Sequence, residues 1–469
     1  MSFHIYNSLT RRREPLEPAD GRTVRFYTCG PTVHDFAHIG NFRCYLFEDL
    51  LRRHLKYSGF GVRQVMNLTD VDDKTIRKSR AAGVPLRDYT RTFADAFFAD
   101  LDELRIERAE VYPAATEHVP EMIALIRTLL DKGFAYRTED GSVYFRLEQF
   151  ADYGKLAHLD RAGLKAGARV AQDEYDKDNV GDFALWKAWD EADGDVVWDA
   201  PWGRGRPGWH IECSAMAMKY LGESFDLHCG GVDNLFPHHE DEIAQSEAAT
   251  GRPFARYWMH CAHLVVDGKK MSKSLGNFFT LRDLRARGYR GREIRYALIS
   301  VHYRQGLNFT LEALDAARAA LGRLDEFHAR LAERAGAAAP AAAAPDWVET
   351  TGREFRAALD DDLNISGALG AVFSLAHRGN KALDEGALDA AGAAAVCARW
   401  RTWDAVCGFL QPEPAAAPET DPELAEIMAR RQDARRRRDW AEADRIRDEL
   451  AARGWVVQDT PQGPKLKKK

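Results

Sequence analysis

The sequence predicts an α/β fold, in which a parallel sheet with an insertion is followed by an α-helical bundle and a small C-terminal domain. Residues 23–29 are β-rich and lead through a loop-like segment into an amphipathic stretch at 41–56, and a second apolar strand follows at 62–68. This β-α-β order is typical of a parallel sheet, whose ligands lie beyond the carboxyl ends of its strands. After about residue 289 the pattern becomes mainly helical.

The first helix is predicted from Phe42, Tyr45, Leu46 and Leu50, which recur at a spacing of about 3.6 residues. From about 112 to 207 the pattern loosens, and turns are expected at 140–141 and 203–208. This stretch is predicted to be an insertion between two halves of the sheet, because strand-like sequence resumes near Phe225.

Two segments rich in Ala and Pro, 335–345 and 411–422, are predicted to be linkers. The second isolates a terminal unit, of which residues 424–469 contain 13 Lys and Arg residues against 8 Asp and Glu residues, whereas the whole chain carries a net charge of −6. This unit is therefore the expected contact for a polyanion.

The composition indicates a cytoplasmic, multidomain protein. A chain of 469 residues is too long for one ordinary core, and its 45% hydrophobic and 29% charged residues are ordinary for a soluble protein. We find no stretch of about 18 uninterrupted apolar residues and no secretory signal at the N-terminus. The seven cysteines are scattered and odd in number, so reduced thiols with a metal or catalytic role are favoured over disulfides.

Two loops have the composition of phosphate-binding segments. Residues 31–41 lie between the first strand and its helix, where free backbone N–H groups attract phosphate; His38 can donate to phosphate oxygens, and Gly40 permits a close approach. Taken alone, His38 is more simply a loop histidine that satisfies a backbone group. Residues 270–277, Lys-Met-Ser-Lys-Ser-Leu-Gly-Asn, place two ammonium groups and two hydroxyls in one loop. A solvated basic turn is the alternative interpretation.

Together, the two loops resemble the HIGH and KMSKS signatures of class I aminoacyl-tRNA synthetases. The resemblance implies a Rossmann catalytic domain and the formation of an aminoacyl-adenylate from ATP and an amino acid, with Mg²⁺ accompanying ATP. It implies catalytic roles for His38, Lys270 and Lys273. It also implies an ATP site made of Gly30, His38, Gly40, Asn41, Lys270, Ser272 and Lys273. Asn41 replaces the last His of the HIGH pattern, and activity is expected to persist because Asn can donate a hydrogen bond.

Four residues are candidate metal ligands: Cys29, Cys213, His238 and Glu242. His238 and Glu242 are four residues apart and would share one face of a helix, and mixed S, N and O ligands suit tetrahedral zinc. Spacing alone leaves the alternatives open, because Cys213 could be a buried structural thiol and His238 part of an exposed, charged helix start.

Longer segments resemble cysteinyl-tRNA synthetases over essentially the whole chain, most specifically 67–74, 205–213 and 236–240. The resemblance implies one zinc ion per chain on Cys29, Cys213, His238 and Glu242. It implies a cysteine pocket lined by Thr69, Trp209, His228 and Asp233. The implied partners are ATP, L-cysteine and tRNA(Cys), and a monomer is expected.

Zinc has a physical reason to select cysteine. A zinc ion lowers the pKa of a thiol and binds the sulfur as thiolate, whereas a serine hydroxyl is much harder to deprotonate and is a poorer ligand. Strong rejection of serine makes a separate editing site unnecessary, and none is expected. Cys229 departs from the family's usual glycine, and we have no physical account of it.

The terminal unit contains an arginine-rich helical pair around Trp440. Arginine can pair with phosphates and tryptophan can stack on an unpaired base; from composition alone, a solvated amphipathic helix with a core tryptophan is slightly favoured. The family resemblance implies an anticodon-binding domain instead, with tRNA contacts at Arg435, Trp440 and Asp444. The tail 465–469 is predicted to be disordered.

The expected domains are a Rossmann catalytic domain in two halves (1–111 and 208–260, the second with the zinc site), a connective insertion (112–207), a KMSKS and stem-contact region (261–310), a tRNA-binding helical bundle (311–410), a linker (411–423) and the anticodon-binding domain with its basic tail (424–469). Two alternative functions remain. One is a related ligase that joins cysteine to a glucosamine-inositol and lacks the terminal module, and the other is a zinc-stabilised RNA-binding paralogue without catalysis. Intact His38, Lys270 and Lys273 argue against the second.

Overall fold

A computed structural model describes residues 2–159, 169–170, 181–341, 344–412, 422–437, 439–460 and 463–468. The linker predictions at 335–345 and 411–422 therefore lie partly outside the described residues. The chain forms two compact units, Met1–Leu410 and Gln411–Lys469. No helix in the described part of the chain is long and apolar enough to cross a membrane.

The first segment contains an N-terminal hairpin and the predicted β-α-β unit. Its elements are β1 (His4–Asn7), β2 (Arg12–Pro15), β3 (Thr23–Thr28), α1 (Ile39–Tyr57), β4 (Gly61–Met66), α2 (Asp73–Ala82) and α3 (Leu86–Glu103). The helix begins two residues earlier than predicted, because His38 caps it: its Nδ1 accepts a hydrogen bond from the Asn41 backbone N–H, and Asn41 Oδ1 accepts one from the His38 N–H.

The insertion is built on an antiparallel sheet with strand order β5-β6-β8-β10-β9, and β7 pairs with β8. Its elements are α4 (Val119–Asp131), β5 (Ala135–Arg137), β6 (Val143–Phe145), β7 (Arg169–Val170), β8 (Asp182–Ala188), β9 (Trp198–Ala200) and β10 (Gly203–Pro207). The turn predicted at 140–141 joins β5 to β6, but the turn predicted at 203–208 is wrong. A Cβ at Gly205 would lie 2.1 Å from the Lys187 carbonyl oxygen, so this glycine permits close strand pairing instead.

The second half of the parallel sheet follows. Its elements and those after it are α5 (Trp209–Leu221), β11 (Phe225–Gly231), α6 (Glu240–Thr250), β12 (Ala255–Cys261), β13 (Leu264–Val266), β14 (Lys269–Lys270), α7 (Leu281–Ala286), α8 (Gly291–Ile299) and β15 (Leu307–Phe309). The main sheet has the order β12-β11-β3-β4, and all its neighbours are parallel. The predicted parallel α/β fold is confirmed.

The two faces of this sheet pack against different cores, because successive residues of a strand point to opposite faces. Phe26 of β3 lies in a core shared with α1 and the helices that follow the sheet, whereas Tyr27 lies in a core shared with α4, α5 and the insertion. The helices are α9 (Leu311–Ala335), α10 (Asp346–Asp360), α11 (Ile365–Asp384) and α12 (Ala390–Cys407).

The second unit contains α13 (Pro422–Arg436), α14 (Trp440–Ala452), β16 (Trp455–Thr460) and β17 (Gly463–Lys468). Its small core includes Leu424, Ile427, Ile446 and Leu450. The predicted disorder of the tail is wrong for residues 465–468, which pair with β16 in an antiparallel hairpin that runs to Trp455↔Lys468; Lys469 lies outside the described residues. The backbone hydrogen bonds of the hairpin therefore order this lysine-rich segment despite its positive charge.

Candidate active site

The predicted site residues converge at the carboxyl edge of the main sheet. Cys29 follows β3, Thr69 lies just beyond β4, and Asp233 follows β11. Because these strands are parallel, their ends meet at one edge. Gly30 lies at the same edge, and only glycine fits there: a Cβ would lie 1.7 Å from the Asn67 carbonyl oxygen.

Four candidate metal ligands form one buried cluster. Cys29, Cys213, His238 and Glu242 each offer one ligand atom, and these atoms lie within 4.8 Å of one another. Cys213 projects from α5, while His238 and Glu242 come from the turn before α6 and its first turn. His238 Nε2 lies 3.1 Å from Glu242 Oε1, as the i,i+4 spacing predicts. All four residues are buried.

The charges of this cluster favour bound cations. Burial opposes ionisation of Cys213, but its interactions with Cys29 and His238 lower the pKa of its thiol to about 6. Burial also opposes ionisation of Glu242, yet His228 and His238 lower its pKa to about 2. Burial and Cys213 raise the pKa of the Cys29 thiol well above its ordinary value. Cys213 and Glu242 are therefore anionic at neutral pH, and their charges raise the pKa of His238 well above its ordinary value against the effect of burial.

A second, overlapping set of ligand atoms exists, and sequence reasoning missed one of its members. It combines Cys29 and Glu242 with His228 and His239. His228 Nε2 donates to Glu242 Oε2 at 2.8 Å, and His239 Nε2 lies 3.3 Å from Cys29 Sγ. The doubled histidine at 238–239 could have pointed to His239, but only His238 was predicted as a metal ligand.

The residues predicted to line a cysteine pocket surround the cluster. The Trp209 ring stacks on His238 with a centroid distance of 4.3 Å, and His228 contacts Glu242 directly. Thr69 Oγ1 donates to Glu212 Oε2 at 3.0 Å. Glu212 is a further buried carboxyl that the sequence prediction omitted, and burial beside Cys213 raises its pKa well above the ordinary value. Its position next to Cys213 in the sequence could have identified Glu212 as part of the site.

Asp233 is folded back over the end of β11. Its Oδ1 would lie 2.2 Å from a Cβ at Gly231, so a side chain at that glycine would collide with the carboxylate. Gly231 therefore allows Asp233 to turn toward the strand end.

The two predicted nucleotide loops are joined. Ile39 N–H donates to the Phe279 carbonyl at 3.0 Å, and the His38 ring packs edge-on against Phe278 with a centroid distance of 5.2 Å. Lys273 Nζ donates to Asp35 Oδ2 at 2.7 Å. Burial lowers the pKa of His38, which favours the neutral imidazole.

The second loop is closed on itself by Asn277. The Ser272 backbone N–H donates to Asn277 Oδ1 at 2.8 Å, and Asn277 Nδ2 donates to the Lys270 carbonyl at 3.2 Å. The side chains of Lys270 and Lys273 are exposed, so both ammonium groups are accessible to a ligand. Gly40 lies under the loop, because a Cβ there would be 3.4 Å from the Met271 methyl carbon.

In the second unit, the predicted RNA contacts have different environments. Trp440 is 58% exposed, which rejects the interpretation of a core tryptophan. Asp444 Oδ1 pairs with Arg447 Nη1 at 2.9 Å, and Arg435 is half-buried.

Three family models match successive parts of the chain. Residues 15–319 match the class I (C) tRNA synthetase catalytic domain, 354–411 the DALR domain and 417–464 the cysteinyl-tRNA ligase anticodon binding domain.

Curated relatives match over nearly the full length. The chain is 49% identical over 480 residues to a cysteine–tRNA ligase of Protochlamydia amoebophila, and 48% identical over 471 residues to one of Chlamydia pneumoniae; each match covers 99% of this chain and 98% of the relative. Among solved structures, a Mycobacterium tuberculosis methionyl-tRNA synthetase with methionyl-adenylate gives a TM-score of 0.59 at 17% identity, covering 87% of this chain and 94% of that one. An Agrobacterium radiobacter LeuRS–tRNA–LeuAMS complex gives 0.61 at 12% identity, covering 84% of each chain. These structures share the fold.

Proposed function

The chain belongs to the cysteinyl-tRNA synthetase family, and from this premise we propose that Cys29, Cys213, His238 and Glu242 hold the zinc ion that selects cysteine. The protein is a cysteine–tRNA ligase: it activates cysteine with ATP and charges tRNA(Cys). The single observation that supports the zinc proposal is the buried cluster of four ligand atoms within 4.8 Å of one another.

The donor set fits zinc. Two sulfurs, one imidazole nitrogen and one carboxylate oxygen are ligands that zinc prefers, and the low pKa values of Cys213 and Glu242, about 6 and about 2, supply anions for it. The overlapping set with His228 and His239 is less suitable, because it lacks Cys213, the thiol whose pKa is lowered. His228 is better explained as a donor that orients Glu242.

Zinc bound there would hold the substrate sulfur as thiolate and so distinguish it from a hydroxyl. The protein groups around it would fix the rest of the amino acid. Trp209 closes the cluster by stacking on His238, while Thr69, held by its hydrogen bond to Glu212, and Asp233 offer polar groups nearby. We propose these residues, with His228, as the cysteine pocket.

For activation, we propose that the substrate carboxylate attacks the α-phosphate of ATP, with Mg²⁺ on the polyphosphate. The N–H groups at the start of α1, with Gly30, Gly40 and Asn41, would accommodate the nucleotide, and His38 would donate to phosphate. Lys270, Ser272 and Lys273 would stabilise the charge of the leaving pyrophosphate. The contact of Phe278 and Phe279 with the start of α1 supports a shared site for both loops.

For tRNA, we propose that Arg435, Trp440 and Asp444 contact the anticodon loop, with the exposed indole stacking on an unpaired base. The match of residues 417–464 to an anticodon binding domain supports tRNA over an amino sugar as the acceptor. We further propose that the enzyme acts as a cytoplasmic monomer, which sedimentation velocity can test.

The zinc proposal is tested by measuring metal content together with ATP–pyrophosphate exchange. We expect about one zinc ion per chain, exchange that depends on cysteine, and little exchange with serine. Cys213→Ser should lose zinc and selectivity, whereas Cys397→Ser, at a buried thiol of α12, should retain both. Fully active protein without zinc, or metal-free protein that still prefers cysteine to serine, would contradict the proposal.

A further inference from the structure

An open cavity of about 450 Å³ lies at the edge of the main sheet. We call it the edge cavity and define it by Tyr6, Ser8, Arg11, His158, His260 and Arg304. Its walls come from the β1–β2 turn, the insertion, the ends of β11 and β12 and the segment after α8. Its volume is in the range of sites that bind a small organic ligand, about 300–1,000 Å³.

The edge cavity is positively charged. The charge comes from two guanidinium groups, those of Arg11 and Arg304, and none of the residues described as lining the cavity is acidic. Arg304 is held in place, because its Nε donates to the buried Asp362 carboxylate at 2.8 Å and its guanidinium lies 4.3 Å from the centre of the Tyr6 ring. Arg11 is exposed and forms no ion pair with any residue that the structure describes. Its charge is therefore available to an anionic ligand.

The wall of this cavity is held in an unfavourable backbone conformation. Arg11 and His158 both have positive φ, 56° and 53°, which side-chain-bearing residues rarely adopt. His158 Nε2 donates to the Ser8 carbonyl at 3.3 Å and so links the insertion to the β1–β2 turn. Strain of this kind is concentrated at functional sites, where the surrounding structure enforces it.

The edge cavity shares a wall with the metal cluster. His260 Nε2 lies 2.9 Å from His239 Nδ1, and His239 Nε2 lies 3.3 Å from Cys29 Sγ. Phe236, which also lines the cavity, precedes His238 by two residues. A ligand in the cavity would thus lie next to the proposed cysteine site. Neither nucleotide loop, 31–41 or 270–277, contributes to its lining.

We propose that the edge cavity binds an unpaired nucleotide at the 3′ end of tRNA while the terminal ribose reaches the activated cysteine. Arg11 would bind a phosphate of the strand, and Tyr6 and Phe236 offer rings on which a base can stack. This deepens the function proposed above and rests on it, because the acceptor hydroxyl must enter beside the cysteine site.

The test uses Arg11→Gly in the full-length enzyme. Glycine adopts the left-handed conformation of residue 11 without strain, so this variant removes the guanidinium and preserves the turn. Arg11→Lys keeps the charge, and Arg12→Ala, at the neighbouring exposed arginine, is the matched control. The first measurement is cysteine-dependent ATP–pyrophosphate exchange without tRNA, and the second is single-turnover transfer from preformed adenylate to tRNA.

For Arg11→Gly we expect pyrophosphate exchange to be unchanged. Transfer to tRNA should be about tenfold slower at subsaturating tRNA, because one charged hydrogen bond is lost. The slope of log affinity against log salt should fall by about 0.7. Arg11→Lys should recover part of the loss, and Arg12→Ala should behave as wild type. With tRNA trimmed of its unpaired 3′ nucleotides, Arg11→Gly and wild type should bind equally.

Three results would overturn the inference. The first is a loss of exchange in Arg11→Gly as large as its loss of transfer, which would assign the cavity to ATP or cysteine. The others are normal transfer by Arg11→Gly, and weaker binding of the trimmed tRNA by Arg11→Gly than by wild type. Failure of the zinc proposal is a separate result, because it appears in the wild-type protein as missing metal or as exchange without preference for cysteine.

Discussion

Lys273 of the second nucleotide loop is hydrogen-bonded to Asp35 of the first, with 2.7 Å between Nζ and Oδ2. Lys78 Nζ contacts the same carboxylate oxygen at 2.9 Å. Burial opposes ionisation of Asp35, but these two lysines lower its pKa to about 2, so the carboxylate is charged throughout the neutral range. Asp35 therefore holds Lys273 when no nucleotide is bound and competes for it with the phosphates of ATP.

Replacing Asp35 by Asn should lower the KM for ATP, because Lys273 would no longer have to leave an ion pair. Lys273 is 65% exposed, and exposed pairs contribute only about 0–1 kcal/mol, so the decrease should not exceed about fivefold. Asp267→Asn, at an exposed carboxylate of the β13–β14 turn, is the control. A raised KM for ATP would show that Asp35 assists nucleotide binding instead.

Lys273→Ala should slow adenylate formation much more than it weakens cysteine binding. The lysine is proposed to act on charge that develops on phosphate, and removal of one such group slows the chemical step about 10²–10³-fold. Pyrophosphate exchange measures the first effect and calorimetry with cysteine the second. Lys269→Ala, at the neighbouring exposed lysine of β14, should change neither. Equal losses in both measurements would remove Lys273 from its proposed role.

Short-range patterns predicted the parallel fold well, because α1 and β3 each carry their own periodicity. The two nucleotide loops were also visible as local strings. The sequence contained no physical sign that Lys273 meets Asp35, since such a contact depends on how distant loops pack. Gly205 shows the converse error: glycine is compatible with a turn and with close strand pairing, and only its neighbour Lys187 decides between them.

The metal cluster could be predicted only in part from chemistry. His238 and Glu242 share a helical spacing, but Cys29 and Cys213 are far apart in sequence, and only the family resemblance joined them to the set. His239 was missed because its role depends on the direction of its ring toward Cys29, which no pattern of residue types specifies.

Trp440→Ala should raise the KM for tRNA and leave cysteine-dependent pyrophosphate exchange unchanged. Stacking of one base on an aromatic ring contributes about 1–3 kcal/mol, so we expect a rise of about 5-fold to 150-fold. Asp448→Ala, on the exposed face of the same helix, is the control. A normal KM for tRNA in Trp440→Ala would exclude the indole from the anticodon contact.

Asp49→Asn should destabilise the first unit, because it leaves a buried guanidinium without its counter-charge. Arg295 is fully buried; it pairs with Asp49 of α1 and donates to the Cys407 carbonyl at 2.7 Å, so it joins α8 to α1 and α12. Breaking one partner of a buried pair costs about 3–5 kcal/mol. Asp361→Asn, which breaks an exposed pair with Arg13, should cost at most about 1 kcal/mol.

The cost of Asp49→Asn should also depend on pH. Burial opposes ionisation of Asp49, but Arg295 and Arg53 lower its pKa below the ordinary 3.8. A lowered pKa means that the carboxylate stabilises the fold above about pH 4 and that this contribution is lost as the pH falls toward the folded-state value. Urea denaturation of the wild type and both variants at pH 7 and at a pH well below 3.8 measures this cost, which should be larger at pH 7. If Asp49→Asn were no more destabilising than Asp361→Asn at pH 7, the buried pair would not hold these helices together.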